Sequence, residues 1–232
     1  MAQPPEISDT FVREVDENLR RDQVEDFFKR YGGWLAAAVV MFLVASGGFI
    51  WWKQHQVKEN EARVEKLAQA YTDIASGKVA QAPQQFEELS NNGSKAVRAT
   101  AMFARAAVAL QQGDPKQAAS IYQTISGDSG FPKPYRDAAL IRQTSLQFDQ
   151  LQPQEVIARL QPLAKPGEPW FGTAGEMTAL ALIKQNKKQE AGQLFFAIAK
   201  DSSVPQAIRA RAVQVAGSLG VDASSALPPQ AL

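Results

Sequence analysis

One stretch of this chain carries the pattern that decides its fold: residues 106–125 read AAVALQQGDPKQAASIYQTI. The stretch contains a small residue, a large apolar residue four positions later, a turn signal, a second small residue and two more large apolar residues: Ala106, Leu110, Gly113-Asp114-Pro115, Ala118, Tyr122 and Ile125. Small residues let two helix backbones approach closely, and large residues on the same helix faces fill the space beside them. The stretch therefore predicts two helices packed as a hairpin.

The same pattern occurs four times along the chain, at spacings of 36, 38 and 35 residues. The second-helix positions are Ala82, Phe86 and Leu89; Ala118, Tyr122 and Ile125; Val156, Leu160 and Leu163; and Ala191, Phe195 and Ile198. The first-helix positions, which begin twelve residues upstream of each of these, are Ala70 and Ile74; Ala106 and Leu110; Thr144 and Phe148; and Ala179 and Ile183. Such units cannot bury their apolar faces alone, so the repetition predicts a stacked array of helical hairpins.

Turn-forming residues lie where these hairpins need them. Within the hairpins they occupy 76–77, 112–115, 152–153 and 185–187, and between hairpins they occupy 91–93, 127–134, 166–169 and 202–205. No segment alternates apolar and polar residues as a half-buried strand does. A last helix over 206–219 is predicted to cap the array, and residues 221–232, rich in Ala, Ser and Pro, are predicted to form a flexible tail.

A second feature is the apolar run at residues 32–52, GGWLAAAVVMFLVASGGFIWW, which contains no charged side chain. As a helix it is roughly 30 Å long, which matches the hydrocarbon thickness of a bilayer. Trp34 near one end and Trp51 and Trp52 at the other resemble interfacial aromatic belts. A buried core helix is rarely so long and apolar, and a cleavable secretory signal has a short basic leader, whereas some thirty net-acidic residues precede this run. We therefore predict an uncleaved transmembrane anchor.

The segments that flank the anchor decide its predicted orientation. Lys29 and Arg30 stand directly at its first boundary, which favours a cytoplasmic tail at 1–31 and a C-terminal domain on the other side of the membrane. In that tail, apolar residues recur at helical intervals between positions 11 and 28, so an amphipathic helix is predicted. This helix could lie on the lipid surface, dock on a partner or simply extend the membrane helix.

Composition excludes several classes of function. Hydrophobic residues make up 45% and charged residues 21% of the 232, with a net charge of +1, so nothing points to nucleic acid. Cysteine is absent and His55 is the single histidine, which excludes thiolate chemistry and any multi-histidine metal site within one chain. No phosphate-binding loop or catalytic motif is present, and the carboxylates at Glu87, Glu88 and Glu155 form no facing acid/base pair. We therefore predict a protein that is not an enzyme and that holds no cofactor and no metal.

Two further stretches resemble a known family. Residues 12–22, VREVDENLRRD, and residues 27–32, FFKRYG, are similar to the N-terminal head of the ancillary subunit family of the SecYEG translocon, and the repeat spacing is similar to that of tetratricopeptide repeats. The resemblance implies an all-α inner-membrane protein with one transmembrane helix and a right-handed tetratricopeptide-like array in the periplasm. It also implies three partners: the SecYEG translocon, a membrane-anchored periplasmic folding factor and exported polypeptides.

The resulting hypothesis is a membrane-anchored, protein-binding scaffold that assists the folding or chaperone hand-over of exported proteins. Its predicted parts are a tail at 1–31, an anchor at 32–52, the repeat domain at 53–220 and a flexible tail at 221–232. A concave surface formed by the first helices of the hairpins is expected to bind the partners. The candidate contact residues are Phe103, Tyr135, Trp170 and Phe171. The alternative is a non-enzymatic envelope scaffold that organises a different inner-membrane complex, in assembly or division.

Overall fold

The structure is a computed structural model that describes residues 7–76 and 82–226, with only the backbone described at 7–29, 31, 32, 35 and 225. Within these ranges every regular element is a helix. The α-helices are α1 (Ile7–Ala75), α2 (Ala82–Asn91), α3 (Lys95–Gln111), α4 (Pro115–Gly127), α5 (Lys133–Gln147), α6 (Pro153–Leu160), α7 (Phe171–Lys184), α8 (Lys188–Lys200) and α9 (Gln206–Ser218), and a 3₁₀ helix spans Ser224–Ala226. The predicted turn at 76–77 is described only at Ser76.

The chain divides into two compact units, Met1–Glu59 and Asn60–Leu232. In the first unit α1 is continuous, and the predicted amphipathic segment belongs to it, although the side chains that would form its apolar stripe lie outside the described residues. Large apolar side chains between positions 34 and 52 are exposed, for example Trp34 at 80%, Met41 at 73% and Trp51 at 69%. A candidate membrane span, judged by length and composition, lies within Ala36–Ala75.

In the second unit the repeated pattern becomes the core of a helical array. Each helix from α2 to α9 packs against the next in chain order. The small first-helix positions and all the second-helix positions predicted from the repeat are buried, none more than 3% exposed: Ala70, Ala82, Phe86, Leu89, Ala106, Ala118, Tyr122, Ile125, Thr144, Val156, Leu160, Leu163, Ala179, Ala191, Phe195 and Ile198. The predicted tetratricopeptide-like array is confirmed.

The turn between α3 and α4 is formed by residues whose local conformational preferences favour it. Gly113, with φ +77°, ends α3 in the left-handed conformation that glycine adopts without steric cost. The Asp114 carboxylate then accepts a hydrogen bond at 2.8 Å from the Gln117 N–H, which caps α4, and Pro115 occupies the first turn, where its missing N–H costs nothing. The helical hairpin predicted from residues 106–125 is thus closed by its own sequence.

The third copy of the repeat shows how the array tolerates a defect. Its second helix, α6, has only eight residues, and Pro162 follows its last residue by two positions. Proline cannot continue a helix without losing a hydrogen bond, so α6 ends early. The Leu163 N–H nevertheless bonds to the Leu160 carbonyl at 2.9 Å, and the Leu163 side chain is 2% exposed. The repeat position therefore stays in the core although the helix does not reach it.

The C-terminal segment differs from its prediction. The capping helix is present as α9, but residues 221–226, which we expected to be part of a flexible tail, are packed against the array. Ala223 is 1% exposed, and the Arg209 guanidinium donates a hydrogen bond to the Ala226 carbonyl at 3.1 Å. A Cβ on Gly192 of α8 would lie 2.6 Å from Val221, so the absence of a side chain there makes room for this segment. Residues 227–232 lie outside the described residues.

Two of the loops between repeats are joined by the carboxylate of Asp201. It accepts hydrogen bonds from the Ser203 hydroxyl at 2.6 Å, the Ser203 N–H at 2.9 Å and the Gly167 N–H at 3.3 Å. These bonds, that of the Ser203 hydroxyl first, lower the pKa of Asp201 below its ordinary value of 3.8. Because the charged form is the better acceptor, the join depends on pH.

We expect Asp201→Ala to lower the free energy of unfolding by about 1 kcal/mol at pH 7, the usual size for an accessible charged hydrogen-bond network. A carboxylate whose pKa is lowered by folding stabilises the fold above its unfolded pKa, and that contribution disappears as the pH falls through the folded pKa. The difference between the wild type and the alanine variant should therefore shrink below about pH 4, measured by urea unfolding at a series of pH values. Asp201→Asn is the control, since its amide oxygen still accepts but does not titrate in this range. A difference that stays constant down to pH 2 would contradict this role.

Candidate binding surface

The first helices of the hairpins are in contact with one another along the array. On α5, the Arg142 guanidinium lies 6.0 Å from the ring centroid of Phe103 on α3. On α7, the Lys184 ammonium lies 4.4 Å from the ring centroid of Phe148, which follows the last residue of α5. The same ammonium lies 2.8 Å from the carboxylate of Asp149. These contacts join α3, α5 and α7 into one layer.

The layer continues into the capping helix. Both carboxylate oxygens of Glu176 on α7 accept hydrogen bonds at 2.6 Å from the guanidinium of Arg211 on α9. The hydrogen bonds that Arg211 donates to Glu176, together with the negative charge of that carboxylate, raise the pKa of Arg211 further above its ordinary value. The helix α9 therefore occupies the place of a fifth first helix.

One side of each first helix is only partly covered by the core, and we call it the first-helix face. It consists of the residues one and four positions after the buried small residue, which are three apart and so lie on the same side of the helix. The members are Tyr71 and Ile74; Ala107 and Leu110; Ser145 and Phe148; and Leu180 and Ile183. None of these eight side chains is buried.

The first-helix face carries three of the four exposed large apolar side chains in the described part of the second unit. Among the described residues from Asn60 on, the large apolar side chains that are exposed are Val64 (52%), Tyr71 (44%), Leu110 (37%) and Leu180 (44%), and all four lie on first helices. Part of the Tyr71 ring is covered by Phe86, at a centroid distance of 5.3 Å, and this burial raises the pKa of its phenol. Large apolar side chains on the described parts of the second helices and loops are more completely covered. Exposed apolar surface is therefore concentrated on the first helices.

The structure places the four contact residues predicted from the sequence in less accessible positions. Phe171 is 0% exposed and belongs to the core cluster built from α7, α8 and α9, so its prediction as a contact residue is wrong. Phe103 is half-buried, between Tyr122 at a centroid distance of 5.4 Å and Arg142. Tyr135 and Phe103 are half-buried against a cluster built from α3, α4 and α5, and Trp170 is half-buried against a cluster built from α5, α6 and α7. The four residues therefore do not form one surface.

The first-helix face contains residues that sequence reasoning missed. Leu110, Phe148 and Ile183 belong to a repeat column that the spacing predicts to be buried. Tyr71 and Leu180 immediately follow the small residues Ala70 and Ala179 and lie outside the repeat columns. A large apolar residue directly after a buried small one was the available signal, because adjacent helix positions diverge by about 100°.

The described residues offer little that would serve catalysis. The surface cavities are small: the one lined by Lys66, Gln69, Gln85, Glu88 and Leu89 has a volume of about 210 Å³, below the usual range for a small-molecule site. Glu155 pairs with Arg159 at 2.5 Å and Glu88 with Lys66 at 3.3 Å, as solvated carboxylates do. Within the part of the chain that the structure describes, no group of three acidic or histidine residues could hold a metal.

Comparison with known proteins agrees with this geometry. A family profile described as a tetratricopeptide repeat-like domain matches residues 25–216, which include most of α1 and nearly all of the array. No curated protein and no solved structure matches the chain. Domains of this kind are typically scaffolds that bind proteins.

Proposed function

Since the chain belongs to the tetratricopeptide repeat-like domain family, we propose that it is a membrane-tethered scaffold that holds other polypeptides on its first-helix face. The observation that carries this proposal is that, among the described residues of the second unit, the exposed large apolar side chains all lie on first helices. Apolar surface that a fold leaves exposed on one face is stabilised when a partner covers it.

The proposed tether is the helix at 32–52. Its support is the row of exposed apolar side chains from Trp34 to Trp52, which suit a hydrocarbon environment. The pair Lys29 and Arg30 supports a cytoplasmic N-terminus, which puts the array in the periplasm if the membrane is the bacterial inner membrane. A tether raises the effective concentration of the array near other proteins of the same membrane.

The finer proposal is a place beside the export machinery. The similarity of residues 12–22 and 27–32 to the head of the translocon's ancillary subunit family supports it. In this proposal the SecYEG translocon and a membrane-anchored periplasmic folding factor are neighbours of the chain. Exported polypeptides then meet the first-helix face as they emerge, with apolar segments still uncovered, and are held there until folding or hand-over. The non-enzymatic scaffold of a different envelope complex is the competing assignment.

A photo-activatable amino acid in place of Leu180 tests the proposal in intact cells that make the full chain. Leu180 is exposed on the first-helix face, so we expect adducts with exported polypeptides and with translocon subunits, identified by mass spectrometry. The matched control is the same amino acid at Gln193, which is exposed on the second helix α8. Labelling at Leu180 should exceed that at Gln193 by at least about fivefold, the ratio expected when one face is covered and the other is solvated.

Three results would count against the proposal. Equal labelling from both positions would remove the first-helix face as the binding surface. Adducts with components of another envelope complex, and none with the translocon, would favour the competing scaffold. Adducts with cytoplasmic proteins would overturn the periplasmic location of the array.

A further inference from the structure

Arg142 lies beside the first-helix face and is a residue that the scaffold function does not yet explain. It is exposed on α5, three residues before Ser145 of that face, so the two side chains lie on the same side of the helix. Its guanidinium lies over the Phe103 ring. No carboxylate pairs with it among the residues that the structure describes.

Two pairs of charges at this layer are compensated within the fold. Asp149 pairs with Lys184 at 2.8 Å, and Glu176 holds Arg211 through two hydrogen bonds of 2.6 Å. Charges paired in this way contribute little net field to a ligand. Arg142, in contrast, is a charge of this layer that no carboxylate among the described residues balances.

The position of the Arg142 guanidinium is held by the residues beneath it. Phe103 packs on Tyr122, whose own side chain is 2% exposed, so the ring that supports the guanidinium is anchored to the core. Cation–π contact uses the flat face of a guanidinium and leaves its N–H donors for a ligand. A preorganised arginine loses less entropy on binding a carboxylate than a mobile lysine does.

The place of Arg142 in the array tells where on a partner its counter-charge lies. Its helix, α5, has α3 on one side and α7 on the other, and both neighbours carry exposed apolar residues of the first-helix face, Leu110 and Leu180. A segment that covers these apolar residues passes Arg142 in its middle. The counter-charge is therefore an internal side chain and not a chain end.

We propose that the segment bound by the first-helix face is an apolar stretch of another polypeptide with one internal Asp or Glu, whose carboxylate binds Arg142. This inference rests on the proposed function and adds the chemistry of the partner. The apolar residues supply area without selecting a sequence, and the single guanidinium selects the register at which the segment lies on the array.

Three peptides test the inference, each a labelled twelve-residue chain of Leu, Ala and Ser that differs only in a central Glu, Gln or Lys. Their binding to the full chain in nanodiscs is measured by fluorescence anisotropy. We expect the Glu peptide to bind about tenfold more tightly than the Gln peptide, because a charge-assisted hydrogen bond is lost, and the Lys peptide to bind most weakly. With Arg142→Glu the order of the Glu and Lys peptides should reverse.

Two further variants keep the test decisive. Lys116→Glu makes the same change of charge at an exposed position on the second helix α4 and should leave all three affinities within about twofold. Arg142→Gln removes the charge without reversing it and should bring the Glu and Gln peptides to equal affinity. Thermal unfolding by circular dichroism shows that each variant is folded before binding is measured.

The outcomes separate this inference from the function beneath it. If the three peptides bind the wild type equally and Arg142→Glu changes nothing, the carboxylate inference is overturned while the scaffold function stands. If none of the peptides binds the wild type, the inference is overturned too. The scaffold function is tested independently of the peptides, by the adducts that form at Leu180 and Gln193 in cells.

Discussion

Replacing Phe171 by alanine is expected to lower the free energy of unfolding by about 3–5 kcal/mol, the range measured for truncating a fully buried phenylalanine. Its ring is 0% exposed and lies in a cluster to which α7, α8 and α9 all contribute, with Phe195, Ile198 and Ala212 among its members. Removing the ring leaves a cavity that three helices would have to collapse to fill. Urea unfolding of the full chain, followed by circular dichroism, measures the change.

The matched control for this change lies on the same helix. Leu180 is also an apolar residue of α7, but it is 44% exposed, so Leu180→Ala should change the free energy of unfolding by no more than about 0.5 kcal/mol. We expect Phe171→Ala to unfold at a lower urea concentration than the wild type. Leu180→Ala should unfold at nearly the same urea concentration as the wild type but lose partner binding. Equal stability of the two variants would show that Phe171 is not in the core.

Replacing Gly175 by valine is expected to lower the free energy of unfolding by about 2–3 kcal/mol, a cost typical of overpacking. A Cβ at Gly175 would lie 2.9 Å from Cδ1 and 3.2 Å from Cγ1 of Ile198 on α8, closer than side chains normally approach. Ile198 is 0% exposed and therefore has little room to change rotamer. The helices α7 and α8 would have to separate. The measurement is again urea unfolding of the full chain.

Gly217 offers the control for this change, because it also lies within a helix, α9, and no atom would come within 4 Å of its added Cβ. Gly217→Val should change stability by no more than about 0.5 kcal/mol, since the helix propensity of valine is slightly more favourable than that of glycine and no neighbouring side chain is displaced. Equal losses at both glycines would show that the contact with Ile198 is not the cause of the loss. A loss at Gly175 alone supports the close approach of α7 and α8.

The success of the repeat prediction and the failure at Phe171 have related causes. A repeat column is a local signal, since small and large residues at fixed helical spacings report which side of each helix is covered. Phe171 begins α7 and lies outside those columns, so nothing in its neighbourhood told a core aromatic from a contact aromatic. Its ring is covered by a cluster that includes Val204, Ala212 and Ala223, the last of which is 52 positions further along the chain. Aromatic residues in general bury large areas, so the choice between core and surface cannot be made from residue type.

The packing of residues 221–226 against the array could not be predicted for the same reason. Its composition is that of a mobile segment, and composition is all that a short stretch without periodicity offers. The gap left by Gly192 on α8 and the hydrogen bond from Arg209 on α9 hold it in place, and both depend on helices that must first be packed. The side chains that would supply these contacts are ordinary residues in the sequence.

Helix periodicity, turn chemistry and the length of an apolar run are properties of neighbouring residues, so an apolar helix and an array of helical hairpins can be predicted from the sequence. Which apolar residues remain exposed depends on tertiary packing. Phe171 and Leu180 lie on one helix and both are large and apolar, but the packing of α8 and α9 covers the first and leaves the second in solvent. The burial of a side chain depends on residues that are distant in the sequence. The exposed surface of a helical array is therefore defined only once its helices are packed together.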